Sequence, residues 1–243
     1  MPAAFAPALA SDVLPSFDDR FGGVTALQVV AVVLCLIVPT IGWALLFRQV
    51  GRFVTLYRLG QPDASRTDAP VARTWTLTKE FLGHTRMSRL RVVAAAHWFT
   101  ALAFMILFTT LVNAFFQLVQ PDYRLPLLGH FAPFEWVVEI FAWGGLVGIL
   151  VLMAIRQKNH PRRAAGEGGR YSRFFGSTFW QAYYVELTIL FVTICIVLLR
   201  GLEAAMVQRF EPDVSLVAHF PLTGWMAGWW AGVSPAGLAA WVQ

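Results

Sequence analysis

The sequence predicts an all-α integral membrane protein, with four transmembrane helices followed by an external segment that forms a surface or re-entrant helix. Three observations predict it. Hydrophobic residues make up 57% of the 243-residue chain and charged residues 14%, where an ordinary soluble domain carries about a quarter charged. Four apolar runs, at about 24–47, 92–118, 134–155 and 178–199, match the length of helix, about 20 residues, that crosses roughly 30 Å of hydrocarbon. Lys and Arg collect between those runs, so the formal charge of +5 reads as membrane topology and not as a nucleic-acid footprint.

Taken in order, residues 1–23 read as an external N-terminal segment. No basic residue precedes its alanines, and Pro and Asp interrupt it, so it does not have the form of a signal peptide. The four spans lie within a membrane domain, 24–200. The first contains Pro39, which should kink it. The stretch 48–91 is basic and has a turn signal at Gly60-Gln61-Pro62-Asp63. Within it, Val71 to Leu82 mixes Trp75, Leu77 and Phe81 with Arg73 and Lys79, the pattern of a short helix lying at a membrane surface.

After the second span, the connection from Pro121 to Pro133 carries Asp122 and Arg124 as its charges and reads as external. The third span places Gly144 and Gly148 at the spacing that lets two membrane helices approach closely. A second basic stretch, 156–177, includes Arg156, Lys158, Arg162, Arg163, Arg170 and Arg173. The fourth span opens with Trp180, Tyr183 and Tyr184 as an interfacial girdle. This bias sets the N-terminus outside and the loops 48–91 and 156–177 in the cytoplasm of a multi-pass plasma-membrane protein. The remainder, 201–243, reads as external. Its end, from His219, is apolar but broken by Pro221, Pro235 and several glycines, and Trp225, Trp229 and Trp230 suit an interface.

His97, inside the second apolar run, is the residue that most needs a reason. An ionisable group at that depth marks a cofactor, a proton path or a structural hydrogen bond to another helix. As a metal ligand it would be an axial ligand to a b-type haem. Its helical neighbours Val93, Ala94, Thr100 and Ala101 are small or medium, and leave room for a flat macrocycle or for a close helix; Phe104 and Phe108 continue that face. His219 and His84 are the secondary axial candidates. His130 and His160 read as solvated. Glu139 and Glu186, each one or two turns inside a span, are either protonated, hydrogen-bonded to another helix, or part of a proton route to a quinone. Cys35 and Cys195 sit alone in apolar runs and read as buried hydrophobes, and without a C-x-x-C series the chain cannot itself hold an iron–sulfur cluster.

The run EFLGHTRMSRLRVVAAAHWF, with YYVEL opening the fourth span, LLRGLE closing it and HFPLTGWMAG near the end, resembles the N-terminal membrane domain of actinobacterial iron–sulfur-binding reductases related to heterodisulfide reductases. That domain is similar to the gamma, cytochrome b, subunit of respiratory nitrate reductase. The resemblance implies a membrane cytochrome that passes electrons between a cytoplasmic iron–sulfur or flavoprotein donor and menaquinone, with an electron-transfer flavoprotein as the donor. It makes His97 the ligand of the haem nearer the cytoplasm. The region that would supply a second histidine further along that helix reads Ile106-Leu107-Phe108. In the family a further span carries the partner ligand and a cysteine-rich domain follows, so by resemblance this chain is expected to be a truncated or split product. The alternative expectation is a cofactor-free membrane anchor for a soluble reductase.

Overall fold

The computed structural model describes residues 26–61, 63, 68–87, 89–129, 131–163, 172 and 174–242. The expected external segment 1–23, His130, and Arg170 and Arg173 of the second basic loop lie outside the described residues. Among the described residues all regular structure is helical. The order is α1 (Ala26–Arg58), α2 (Pro70–Gly83), a 3-10 turn (Thr85–Met87), α3 (Arg91–Gln117), α4 (Ala132–Lys158), a 3-10 turn (Pro161–Arg163), α5 (Phe179–Phe210), α6 (Leu216–His219), a 3-10 stretch (Gly224–Trp230) and α7 (Pro235–Val242). Of these, α1, α3, α4 and α5 are long and apolar enough to cross a membrane.

Two helices run past the ends that hydropathy alone sets for them. Helix α1 continues through Arg48 and Arg52 to Arg58, where the sequence reading begins a basic loop. Lys and Arg are good helix formers, and no proline follows Pro39 before Pro62, so a change from apolar to basic does not end the helix. Helix α5 likewise continues past Arg200 to Phe210. The stretch expected to lie at a membrane surface is helical, as α2. The segment after His219 breaks into short pieces, each far below spanning length, in keeping with its prolines and glycines.

The chain divides into two compact units. One comprises α1, α2, Phe115–Pro121 and α7. Its α1 is joined to the chain leaving α3 through the buried Gln28, whose amide donates to the carbonyls of Leu118 (2.9 Å) and Val119 (3.2 Å). The apolar side chains of α1 face outward; Leu36, for example, is 61% exposed.

The other unit comprises Gly83–Ala114 and Asp122–Val233. Here α3 and α4 lie antiparallel, with glycines of α4 against α3. A Cβ on Gly148 would lie 2.7 Å from the Ala96 carbonyl oxygen, one on Gly145 2.8 Å from Ala103 Cβ, and one on Gly144 2.9 Å from the Phe99 ring. The two glycines singled out by their spacing therefore do mark a close helix crossing, and the small residues Ala96, Thr100 and Ala103 supply its other side. Helix α5 runs antiparallel to α4, and Gly201 on α5 receives Met226 from the 3-10 stretch. Val138, Ala142 and Ile149 of α4 and Ala204 and Val207 of α5 form the buried centre.

Away from that centre the helices present apolar side chains outward, including Phe104 (70% exposed) and Phe191 (68%). Two expectations are corrected. Cys195 is exposed and Cys35 half-buried, because each lies on an outward helix face of the chain. His160 is half-buried, packed on the Phe179 ring at 4.4 Å, with Nδ1 accepting from the Arg162 amide.

Candidate functional site

Polar side chains of the second unit gather in two places, one at each end of the α3–α4–α5 group. The first is near the start of α3. The chain leaves α2 at Gly83 and turns at His84, which adopts a left-handed backbone (φ 47°). That conformation disfavours a residue with a Cβ by about 1–2 kcal/mol. The turn closes with the Met87 amide donating to the His84 carbonyl at 2.9 Å. This brings the His84 ring onto that of His97, with centroids 4.8 Å apart and planes at 54°. Nδ1 of each ring is buried and has no hydrogen-bond partner. Buried polar atoms are nearly always satisfied, so two adjacent exceptions are notable.

At the same end Glu186 of α5 accepts from Arg156 Nε of α4 at 2.5 Å, and the Arg156 guanidinium lies 4.8 Å from the Phe174 ring centre. The second carboxylate oxygen of Glu186 is buried without a partner. Gln157 Nε2 donates to the Tyr183 hydroxyl at 3.1 Å beside this pair.

The second cluster lies where α3 ends and α4 begins. Glu139 is fully buried and both its oxygens are engaged. One accepts from the amides of Leu222 (2.6 Å) and Thr223 (3.1 Å); the other accepts from the Thr223 hydroxyl and faces Arg200 at 3.6 Å. Glu139 thus ties the segment after α6 to this end of the helical group. Arg200 is nine-tenths buried. It donates to Glu203 (2.7 Å) and to the His219 carbonyl (3.0 Å), and stacks over Phe220 at 4.3 Å. His219 Nδ1 shares a hydrogen with Glu135 at 2.5 Å. Arg124, from the connection after α3, pairs with Glu211 at 3.0 Å.

This cluster borders a cavity of about 60 Å³ lined by Thr109, Thr110, Asn113, Glu135, Arg200 and Glu203 among others. An adjoining apolar cavity of about 110 Å³ lies between α3 and α5, lined by Thr100, Phe104, Phe108 and Val192 among others, and Ile196 borders both. The face of α3 that continues from His97 through Thr100, Phe104 and Phe108 therefore does look onto empty space.

The structure brings His84 and His97 together and puts His219 in the other cluster. Glu139 and Glu186 likewise separate, one to each end. No group of three or more His, Cys, Asp or Glu able to hold a metal ion occurs among the described residues. The sequence reading passed over Arg200, Glu135, Asn113 and Thr223. A signal existed for two of them: Glu135 and Glu139 lie four apart on one helix face, and Arg200 directly follows an apolar run with Glu203 three residues on. No family model, curated protein or solved structure matches the chain.

Proposed function

We propose that the chain is a multi-pass plasma-membrane module, resembling a cytochrome b subunit, that passes electrons between a cytoplasmic iron–sulfur or flavoprotein donor and menaquinone. The outward apolar side chains on all four long helices support a bilayer as their surroundings, since soluble monomers rarely expose contiguous apolar patches larger than a few hundred Å². The basic residues bordering the α4–α5 connection, against the near-neutral α3–α4 connection, favour the former in the cytoplasm. The His84–His97 pair and the Arg156–Glu186 pair then stand at the donor side. Arg156 and Lys158 at the exit of α4 give an acidic donor a complementary surface.

The observation that carries the proposal is the buried Nδ1 of His97, which no protein group satisfies. The fit to a haem is partial. An iron bound by two imidazoles on opposite faces of a porphyrin sets their ring centres about 6 Å apart. The His84 and His97 rings are closer than that, at 4.8 Å, so the pair suits one axial position and not both. His97 would hold the haem iron, with the His84 ring packed beside it. Such a haem supplies one-electron transfer at a potential set by its ligands and burial.

The test is a reduced-minus-oxidised spectrum of membranes containing the protein together with its donor. A b-type band lost in His97→Ala and retained in His219→Ala supports the assignment. A folded preparation with no Soret absorbance would remove the haem and leave a cofactor-free anchor, in which His97→Ala leaves donor docking and turnover intact.

A further inference from the structure

The polar cavity and the apolar cavity beside it lie along one stripe of α5. Thr188, Val192, Ile196, Arg200 and Glu203 recur at helical three- and four-residue steps, the first three lining the apolar space and the last three the polar one. A ligand filling both must have a compact polar head and an apolar tail.

The head cavity is charge-balanced, with Arg124 and Arg200 set against Glu135 and Glu203. A phosphate there would face two carboxylates, so a neutral polar head fits better. Two lining groups have hydrogen-bonding atoms to spare. Arg200 Nε is a buried donor without a partner, and Asn113 Oδ1 is a buried acceptor without one. A site with one free donor and one free acceptor matches the two hydroxyls of a reduced quinone ring, one accepting from Arg200 Nε and the other donating to Asn113 Oδ1. At about 60 Å³ the polar cavity admits the oxygen-bearing edge of a ring, and the 110 Å³ apolar cavity takes the rest and the start of the tail.

We infer that these two cavities form the binding site of the reduced, quinol form of an isoprenoid para-quinone, with one ring hydroxyl accepting from Arg200 Nε, the other donating to Asn113 Oδ1, and the tail between α3 and α5. The choice of a quinone as the amphipathic ligand rests on the electron-carrier reading above. The placement differs from a route through Glu139 or Glu186. Glu139 has both oxygens committed to the 222–223 backbone and side chain, and Glu186 is paired at the opposite end.

The naphthoquinol with a two-isoprene tail, kept reduced with dithionite under nitrogen and titrated by calorimetry into the detergent-solubilised full chain, tests this. Asn113→Leu removes the acceptor, and Val192→Trp fills the tail groove from a position 41% exposed, where extra volume need not disturb the buried centre. Each should weaken binding roughly tenfold, the size of one lost hydrogen bond or one blocked apolar contact, with the thermal unfolding midpoint unchanged. The matching naphthalene without ring oxygens should bind wild type at least about tenfold more weakly than the quinol does, and Asn113→Leu should narrow that difference to what the Arg200 bond alone supplies.

Wild-type affinity in both variants would place the quinol elsewhere and overturn the inference. So would equal competition by lysophosphatidylglycerol, which would make the site a lipid site. Quinol binding that depends on Asn113 in a protein showing no haem spectrum would sustain this site while the electron-carrier reading fell; a haem spectrum with no quinol binding would do the reverse.

Discussion

Replacing Gly148 by alanine should separate close helix packing from helix propensity. In an unencumbered helix the change is favourable by about 0.8–1 kcal/mol, because alanine loses less backbone entropy. Gly42 of α1 provides that reference, since a Cβ there meets nothing within 4 Å. At Gly148 the new Cβ would meet the Ala96 carbonyl oxygen and Thr100 Oγ1, each at 2.7 Å. The Thr100 hydroxyl already donates to that same carbonyl at 2.9 Å, and the oxygen belongs to a helix backbone, so neither can swing aside. Relief requires α3 and α4 to move apart by several tenths of an ångström, which opens the neighbouring Gly145–Ala103 contact. Overpacking of this kind costs about 1–3 kcal/mol. Gly148→Ala should therefore come out about 1–3 kcal/mol less stable than Gly42→Ala, each measured against wild type by reversible unfolding in mixed micelles. Gly144→Ala should fall between them, because the atom it meets, on the Phe99 ring, is a side chain that can rotate. Equal stability of the Gly42 and Gly148 variants would refute the close α3–α4 crossing.

Glu139→Gln leaves an amide N–H facing donors that now meet a carboxylate oxygen. The expected loss is about 3–5 kcal/mol, as for breaking other buried charge pairs, with faster proteolysis between Ser215 and Val233; unchanged cleavage would show that Glu139 does not anchor that segment. Arg156→Ala removes the partner of Glu186 and the contact with Phe174, for a loss of about 1–3 kcal/mol. Arg156→Lys should recover part of it, because it keeps the charge but not the planar stacking, and full recovery would argue for charge alone. His84→Ala should leave a b-type band that is shifted but present, whereas His97→Ala abolishes it, as read from the spectra of the same membranes.

The four long helices and the glycine crossing were legible in the sequence because their causes are local. Apolar residues sustained over more than five helical turns specify a helix of that length wherever it packs, and Gly144 and Gly148 mark a face whatever lies against it. Helix ends were less legible, because Arg48 and Arg200 change polarity without removing a backbone donor, and the helices ran on. Within the sites, His97 stood out because an imidazole amid apolar residues needs a reason that can be read from its neighbours. What it meets could not be read that way. His84 reaches it only through a left-handed turn that nothing in a glycine-free position announces, Glu139 finds its partners more than eighty residues on at Leu222 and Thr223, and Arg200 becomes a buried centre only once three helices and a returning segment close around it. Hydropathy is a property of each stretch by itself and fixes how the chain is divided; the pairing of buried polar atoms depends on distances across the assembled helices, and those exist only after folding.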